Sequence, residues 1–249
     1  MNLGLEGRTA IVCGASAGMG LAIARALADE GANVAMFARR RDLLEREAER
    51  IGALAVRGDL RDPGDLRKLV DRTLKAFGGV DVLVNNGGGP PRGTALDVDA
   101  AAVESAVELL LVPVVRLTTL CLQHLVRSGR GRIVNIESSS VREPVDGLAL
   151  SNAVRPGVIG WAKTLAREIG PKGITVNTIA PGRIDTDRLA EVYGSNPDAR
   201  RQAEAQIPLK RFGTPEEVAR VACFLASEQA GYVTGAVIPV DGGLTRSLL

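Results

Sequence analysis

The 249 residues are 45% hydrophobic but only 3% aromatic, a Val, Ile, Leu and Ala core suited to buried parallel strands in one or two domains. With 31 basic against 29 acidic residues, a net charge of +2 and no basic block, nucleic acid is excluded as the expected partner. Three scattered cysteines (Cys13, Cys121, Cys223) and one histidine, His124, argue against a disulfide framework or a His-based metal centre; with neither an apolar signal core nor a membrane-length run, a soluble cytoplasmic protein is expected.

Strand, turn and helix then alternate along the chain. Thr9 to Cys13 reads as a short apolar strand, followed by a turn from Gly14 to Gly20 and an Ala-rich helix to about Asp29. Gly31 punctuates before a second strand, Ala32 to Ala38. Asp42 to Arg50 reads as a helix, Ala53 to Arg57 as a strand and Asp62 to Phe77 as a helix. Val80 to Val84 is the fourth strand, running into the irregular loop Asn85-Asn86-Gly87-Gly88-Gly89-Pro90-Pro91. A long helix is expected from Val98 to Val126, kinked at Pro113, which lacks an N–H and crowds the preceding turn. Arg132 to Ile136 is the fifth strand, Leu150 to Ile169 a helix and Thr175 to Ile179 the sixth strand. Pro215 to Ala226 reads as a helix with Thr214 as N-cap and Pro215 at its first position. Ala236 to Val240 closes as the seventh strand. The pattern predicts a Rossmann-type doubly wound α/β sheet of about seven parallel strands, with right-handed crossovers and helices on both faces. No linker, repeat or low-complexity tract divides residues 1–249, so one domain is expected.

The polar stretch from Asp185 to Phe212 fits this scheme least. It follows the C-terminal end of a strand, where open α/β sheets bind ligands. It reads either as a substrate lid near 185–212 or as an ordinary surface excursion.

Gly14-Ala15-Ser16-Ala17-Gly18-Met19-Gly20 joins the first strand to the first helix. Glycines permit the tight turn and let the backbone close on a pyrophosphate, which the N–H groups of the helix N-terminus then hold. Gly14, Ser16, Gly18, Met19 and Gly20 are therefore candidate dinucleotide-binding residues. The second strand ends Met36-Phe37-Ala38-Arg39-Arg40-Arg41, where an NAD site would place a carboxylate for the ribose 2′-OH. Guanidinium groups suit a 2′-phosphate instead, so Arg39 and Arg40 favour NADP(H) over NAD(H). The alternative is that these arginines merely solvate a loop and a helix start.

Over essentially its whole length the chain resembles the short-chain dehydrogenase/reductase family, most closely its 3-oxoacyl-carrier-protein reductases. Gly14-x-x-x-Gly18-x-Gly20 resembles the cofactor turn, and Asp59-Leu60 the pair that contacts adenine. Asn85-Asn86-Gly87-Gly88 is similar to the family's Asn-Asn-Ala-Gly loop, which implies cofactor contacts for Asn85 and Gly87. Pro181-Gly182-Arg183-Ile184-Asp185-Thr186 resembles the stretch that holds the nicotinamide, implying roles for Pro181, Gly182 and Ile184, with Thr186 towards the carboxamide. Gly235 through Gly243 resembles the terminal strand and turn.

The resemblance also implies an Asn, Ser, Tyr and Lys tetrad, in which Tyr protonates the carbonyl oxygen while Lys lowers its pKa and holds the ribose. Ser138 stands at the Ser position. Ser151 occupies the Tyr position, Arg155 the Lys position and Leu110 the Asn position. A serine hydroxyl is a far weaker acid than a phenol and is shorter by a ring, and the neighbouring Asn152 has no proton to give near neutral pH. Arg155 can hold the ribose and supply charge, yet it cannot shuttle a proton. Losing a positioned acid costs about 10²–10⁴ in rate, which slows a reductase without forbidding it. Candidate replacements are Tyr193 in the lid segment and the carboxyls Glu137, Glu143 and Asp146, with a surface position as the alternative for each carboxyl. Tyr232 reads as structural and His124 as peripheral. Arg142, Arg183 and Arg188 could bind an acidic substrate, or could simply be solvated.

The expected function is an NADP(H)-dependent oxidoreductase acting on a small carbonyl/alcohol or 3-oxoacyl-like substrate. Ser138, Ser151 and Arg155 form its altered catalytic group, with water or a carboxyl supplying the proton. Its rivals are non-redox chemistry on the same scaffold, such as dehydration or isomerisation, and a non-catalytic NADP-binding protein. Neither nucleic acid nor a membrane is an expected partner. The resemblance implies a homodimer or homotetramer, and the apolar runs Leu109–Val115 and Val233–Val240 suit either interfaces or an ordinary core.

Overall fold

A computed structural model describes residues 2–187, 189 and 197–248. Seven strands form one sheet: β1 (Thr9–Cys13), β2 (Asn33–Ala38), β3 (Leu54–Arg57), β4 (Val82–Asn86), β5 (Arg132–Ile136), β6 (Thr175–Pro181) and β7 (Val237–Val240). Their spatial order is β3-β2-β1-β4-β5-β6-β7, and every pairing is parallel. The helices are α1 (Gly18–Asp29), α2 (Arg41–Arg50), α3 (Pro63–Phe77), α4 (Ala100–Leu110), α5 (Val112–Ser128), α6 (Ala149–Ile169), α7 (Pro197–Ala205) and α8 (Pro215–Ala226). This is the doubly wound Rossmann-type sheet that the alternation predicts.

The strands are apolar on both sides because helices cover both faces. Alternate residues of β1 divide between two cores: Ala10 and Val12 pack with α1, α2 and α8, while Ile11 and Cys13 pack with α3, α5 and α6. The order reverses between β1 and β4. At such a switch point the two following loops diverge and leave a crevice beyond the strand ends.

Local chemistry explains where the helices begin. Asp62 accepts from the N–H groups of Gly64 and Asp65, Asp99 from Ala102, and Thr214 forms a reciprocal capping box with Glu217. The N-cap of α1 is Ala17, which offers no side-chain acceptor, and the first turn carries no acid. Its orphan N–H groups therefore face the crevice without a side-chain cap.

Several boundaries differ from the sequence expectation. The fourth strand runs from Val82 to Asn86, two residues later than the apolar run suggests. Asp81 precedes the pairing and uses its carboxylate on the Thr9 N–H and the Ser128 hydroxyl, while Asn85 and Asn86 pair with Asn135 and Ile136. The long helix divides at Leu111, and Pro113 opens the second half, where a missing N–H is harmless. A helix, α7, forms inside the polar segment read as a lid or a surface excursion. The expectation of no membrane-length apolar helix also fails. The helical stretch Ala100–Ser128 is 29 residues long, with mean hydropathy 1.8 over an 18-residue window that is 33% buried. Length and composition alone are what pass here.

Candidate active site

The glycine turn and the loop after β4 meet at the switch point. The Asn86 amide donates to the Cys13 carbonyl at 3.0 Å and packs against Gly14. A Cβ on Gly14, whose φ is +60°, would lie 2.6 Å from Asn86 Nδ2. A Cβ on Gly20 would run into the Gly14 carbonyl oxygen. Close backbone approach thus forces glycine at both positions, and it leaves the uncapped N-terminus of α1 open. Gly18 (φ +55°) faces Thr186, whose methyl would touch an added Cβ at 3.4 Å. The structure thereby brings the first and last of the expected cofactor motifs together.

Arg39 and Arg40 are exposed at the end of β2, and Arg40 donates to the buried Ser16 hydroxyl at 3.4 Å. This contact places a guanidinium beside the glycine turn. Two expected side-chain contacts are taken up by the protein itself. Asp59 accepts from Arg61 through both carboxylate oxygens, which holds its carboxyl below the usual range. The buried Asn85 amide donates to Asn135 at 2.9 Å and to Thr118 at 3.2 Å. Asn85 and Asn135 are register partners on one sheet face, so the Asn85 amide is satisfied by its neighbour while the Asn135 amide nitrogen stays buried without a partner. Leu60 and Gly87 line the crevice. Across it, Pro181 ends β6, Gly182 closes tightly on Asp241, and the buried Ile184 bridges to Gly213.

Another wall of the crevice is built by the end of β5 and by α6. Ser138 caps a short 3-10 turn, its hydroxyl accepting from the Ser140 N–H at 3.2 Å. Ser151 and Arg155 lie one turn apart on the buried stripe of α6, with Arg155 Nε donating to Ser151 Oγ at 3.0 Å. Ser151 Oγ is also 3.1 Å from Ser140 Oγ. Arg155 gives Nη1 to Glu137 at 2.7 Å and Nη2 to the Gly88 carbonyl at 3.2 Å. A cavity of about 20 Å³, room for one water, is lined here by Gly88, Leu110, Pro113, Ile136, Glu137 and Arg155.

Glu137 overturns the surface reading. Its side chain is 3% exposed, and burial pushes its carboxyl up to about 7 against the pull of Arg155. The signal was present in the sequence. Ile133 and Asn135 alternate onto one face of β5, and Glu137, one residue past its end, continues that alternation towards the buried side. The Ser151–Arg155 spacing, in phase with Val158 and Ala162, marks both as buried too.

Other candidates are drawn elsewhere. Asn152 exchanges two hydrogen bonds with the Val145 backbone and fastens the loop before α6. Glu143 accepts from the Arg246 N–H, Asp146 is exposed, and Arg142 holds Ser247 and Val237. Arg183 donates to Ala203 and Gln206, tying α7 to the end of β6. Tyr232 is fully exposed in the connection between α8 and β7, and His124 lies near the end of α5. Tyr193 and Arg188 lie outside the described residues.

The chain matches the family model described as enoyl-(acyl carrier protein) reductase over residues 14–245. It is 34% identical over 244 residues to a 3-oxoacyl-[acyl-carrier-protein] reductase, FabG, of Vibrio cholerae, covering 97% of this chain and 99% of the relative. A cyclohexanol dehydrogenase of Rhodococcus sp. is 35% identical over 269 residues, covering 99% of each. Among solved structures, YwfH, an NADPH-dependent reductase involved in bacilysin biosynthesis, superposes with a TM-score of 0.93 at 31% identity, covering 97% of this chain and 99% of that one. L-sorbose reductase from Gluconobacter frateurii, complexed with NADPH and L-sorbose, gives 0.92 at 32% identity over all of both chains.

Proposed function

The chain belongs to the short-chain dehydrogenase/reductase family, and from that premise we propose that it is an NADP(H)-dependent oxidoreductase acting on a small carbonyl/alcohol pair with an altered proton relay. One observation carries the cofactor half of this reading. The glycine turn at the switch point leaves a helix N-terminus uncapped, with a guanidinium beside it and Thr186 opposite. The backbone at Gly14, Ser16, Gly18, Met19 and Gly20 would hold the diphosphate, and Arg39 and Arg40 the 2′-phosphate. Leu60 and Asp59 would border the adenine, Gly87 and the Asn85 backbone the adjoining ribose, and Pro181, Gly182, Ile184 and Thr186 the nicotinamide. The NADPH named for two structural neighbours supports the same choice.

When bound, this cofactor supplies a hydride to the carbonyl carbon, and the oxygen needs one proton in balance. The Ser138 and Ser151 hydroxyls are hydrogen-bond donors for that oxygen, and water or a carboxyl supplies the proton that completes the alcohol. Arg155 stands behind Ser151 and adds positive charge as the oxygen becomes anionic. Stopped-flow mixing of NADPH with ketones, 3-oxoacyl thioesters and imines tests the reading. Oxidation above the solvent blank is expected, and its absence across the panel would count heavily against a reductase.

The Glu137–Arg155 pair favours a second reading, a non-catalytic NADP-binding protein, because it occupies the guanidinium that would otherwise serve the ribose. Ser151→Tyr with Arg155→Lys and Glu137→Gly distinguishes the two. A large gain with a simple ketone supports a scaffold that still aligns substrate for hydride transfer.

Three further features belong to this proposal. The chain is one dinucleotide-binding domain, and its 185–212 segment, of which residues 188 and 190–196 lie outside the described residues, serves as a lid anchored by Arg183 and by the Arg200–Asp185 pair. The chain forms a homodimer or homotetramer through the open apolar groove of Leu111, Val112, Val115 and Leu120, which light scattering would test. Three free, buried cysteines suit a reducing, cytoplasmic setting.

A further inference from the structure

A buried carboxyl at the end of a core strand is expensive unless it has a partner, and Glu137 has one. A guanidinium carries five N–H groups in a rigid plane. In Arg155, Nη1 is committed to Glu137, Nη2 to the Gly88 carbonyl and Nε to Ser151 Oγ. Fixing both Nη atoms on separate acceptors fixes where Nε points, because the group cannot bend. Ser151 Oγ then receives a charged donor on one lone pair. Its own hydrogen is directed elsewhere, towards Ser140 Oγ or an incoming oxygen.

We propose that Glu137 is a positioning residue: with the Gly88 carbonyl, its carboxylate aims the Arg155 guanidinium at Ser151 and so orients and polarises the Ser151 hydroxyl for the substrate oxygen. This rests on the reading of Ser151 as a donor to the substrate. The groups that line the cavity together with Glu137 leave little else to set its charge. From β1 comes Cys13, whose thiol burial pushes up to about 12, so that it stays neutral. Asn85 and Asn86 come from β4, Leu109 and Leu110 from α4, Pro113 and Val114 from α5, and Arg155 from α6. Among the described residues lining this cavity, Arg155 is the one cation. The anchor therefore depends on pH. The carboxylate holds Arg155 above about 7, and below it the neutral acid lets the guanidinium loosen.

The test has two arms on the purified full chain. The first follows the Arg155 Nε–H resonance by ¹⁵N NMR from pH 5 to 9, assigned by its loss in Arg155→Lys. The resonance is expected to shift with a midpoint near 7 in the wild type, to lose that step in Glu137→Gln and to keep it in Glu137→Asp. A resonance that does not titrate in the wild type, or that titrates unchanged in Glu137→Gln, overturns the proposal. The second arm measures NADPH oxidation with an acetoacetyl thioester at pH 8. In Glu137→Gln, kcat is expected to fall about tenfold while the KM for NADPH holds, and Glu137→Asp should recover most of it. Equal kcat in Glu137→Gln and wild type likewise overturns the proposal. Should Glu137→Gln fail to fold, the wild-type titration and Glu137→Asp still decide. NADPH binding by calorimetry runs alongside. No binding sinks the proposed function while leaving the arginine titration to be read by itself.

Discussion

The two walls of the crevice are made from different materials. The wall that follows β1 is backbone: its shape depends on Gly14, Gly18 and Gly20 having no side chains, and on a helix end with nothing of its own to bind. The wall formed by β5 and α6 is side chain: Ser138, Ser140, Ser151, Arg155 and Glu137 satisfy one another. A backbone cradle admits almost no substitution. A side-chain network tolerates exchange only where charges and donors change together, because removing one partner of a buried pair such as Arg155 and Glu137 leaves the other charge uncompensated. Binding and reaction chemistry can therefore diverge separately on one scaffold.

Substitution on each wall tests that contrast, and the largest effect on cofactor affinity is expected at the cradle. Gly20→Ala should weaken NADPH binding by about 100-fold, or ~2.8 kcal/mol, because its Cβ meets the Gly14 carbonyl; calorimetry on the folded variant would read it. Unchanged affinity would show that the cradle yields after all. On the other wall, Glu137→Leu leaves the Arg155 charge buried alone and should lower stability by about 3–5 kcal/mol, while Glu137→Leu with Arg155→Met regains most of it. Chemical denaturation of all three chains measures this, and a stable single variant would mean that the network is not coupled.

A smaller effect follows from acidity. Folding raises the Glu137 pKa from the ordinary 4.5 to about 7, so the folded state binds the proton more tightly. Its contribution to stability is fully present below about pH 4.5 and is lost as the pH rises through about 7. The melting temperature should lose on the order of 5 °C across that window, a component absent from the Leu–Met double variant. Removing Arg40 should cut the preference for NADPH over NADH by roughly tenfold, as expected for a partly exposed phosphate contact. Smallest of all, Thr214→Ala, away from both walls, should cost about 1 kcal/mol through the lost cap.

The sequence by itself determined the parallel sheet, its strand count and the glycine turn, because these follow from hydrophobic periodicity and from backbone freedom, both local properties. It also singled out Ser151 and Arg155 through resemblance at known spacing, and the structure joins the two by a hydrogen bond. It misplaced what depends on contacts between distant segments. The start of β4 is set by Asp81 reaching Thr9 and Ser128, and the Asn85 amide is claimed by Asn135, fifty residues on. The partner of Arg155 is Glu137, eighteen residues away on another element. Only the tertiary structure decided these, because a buried polar group must find its partner in space and neighbours along the chain do not name it.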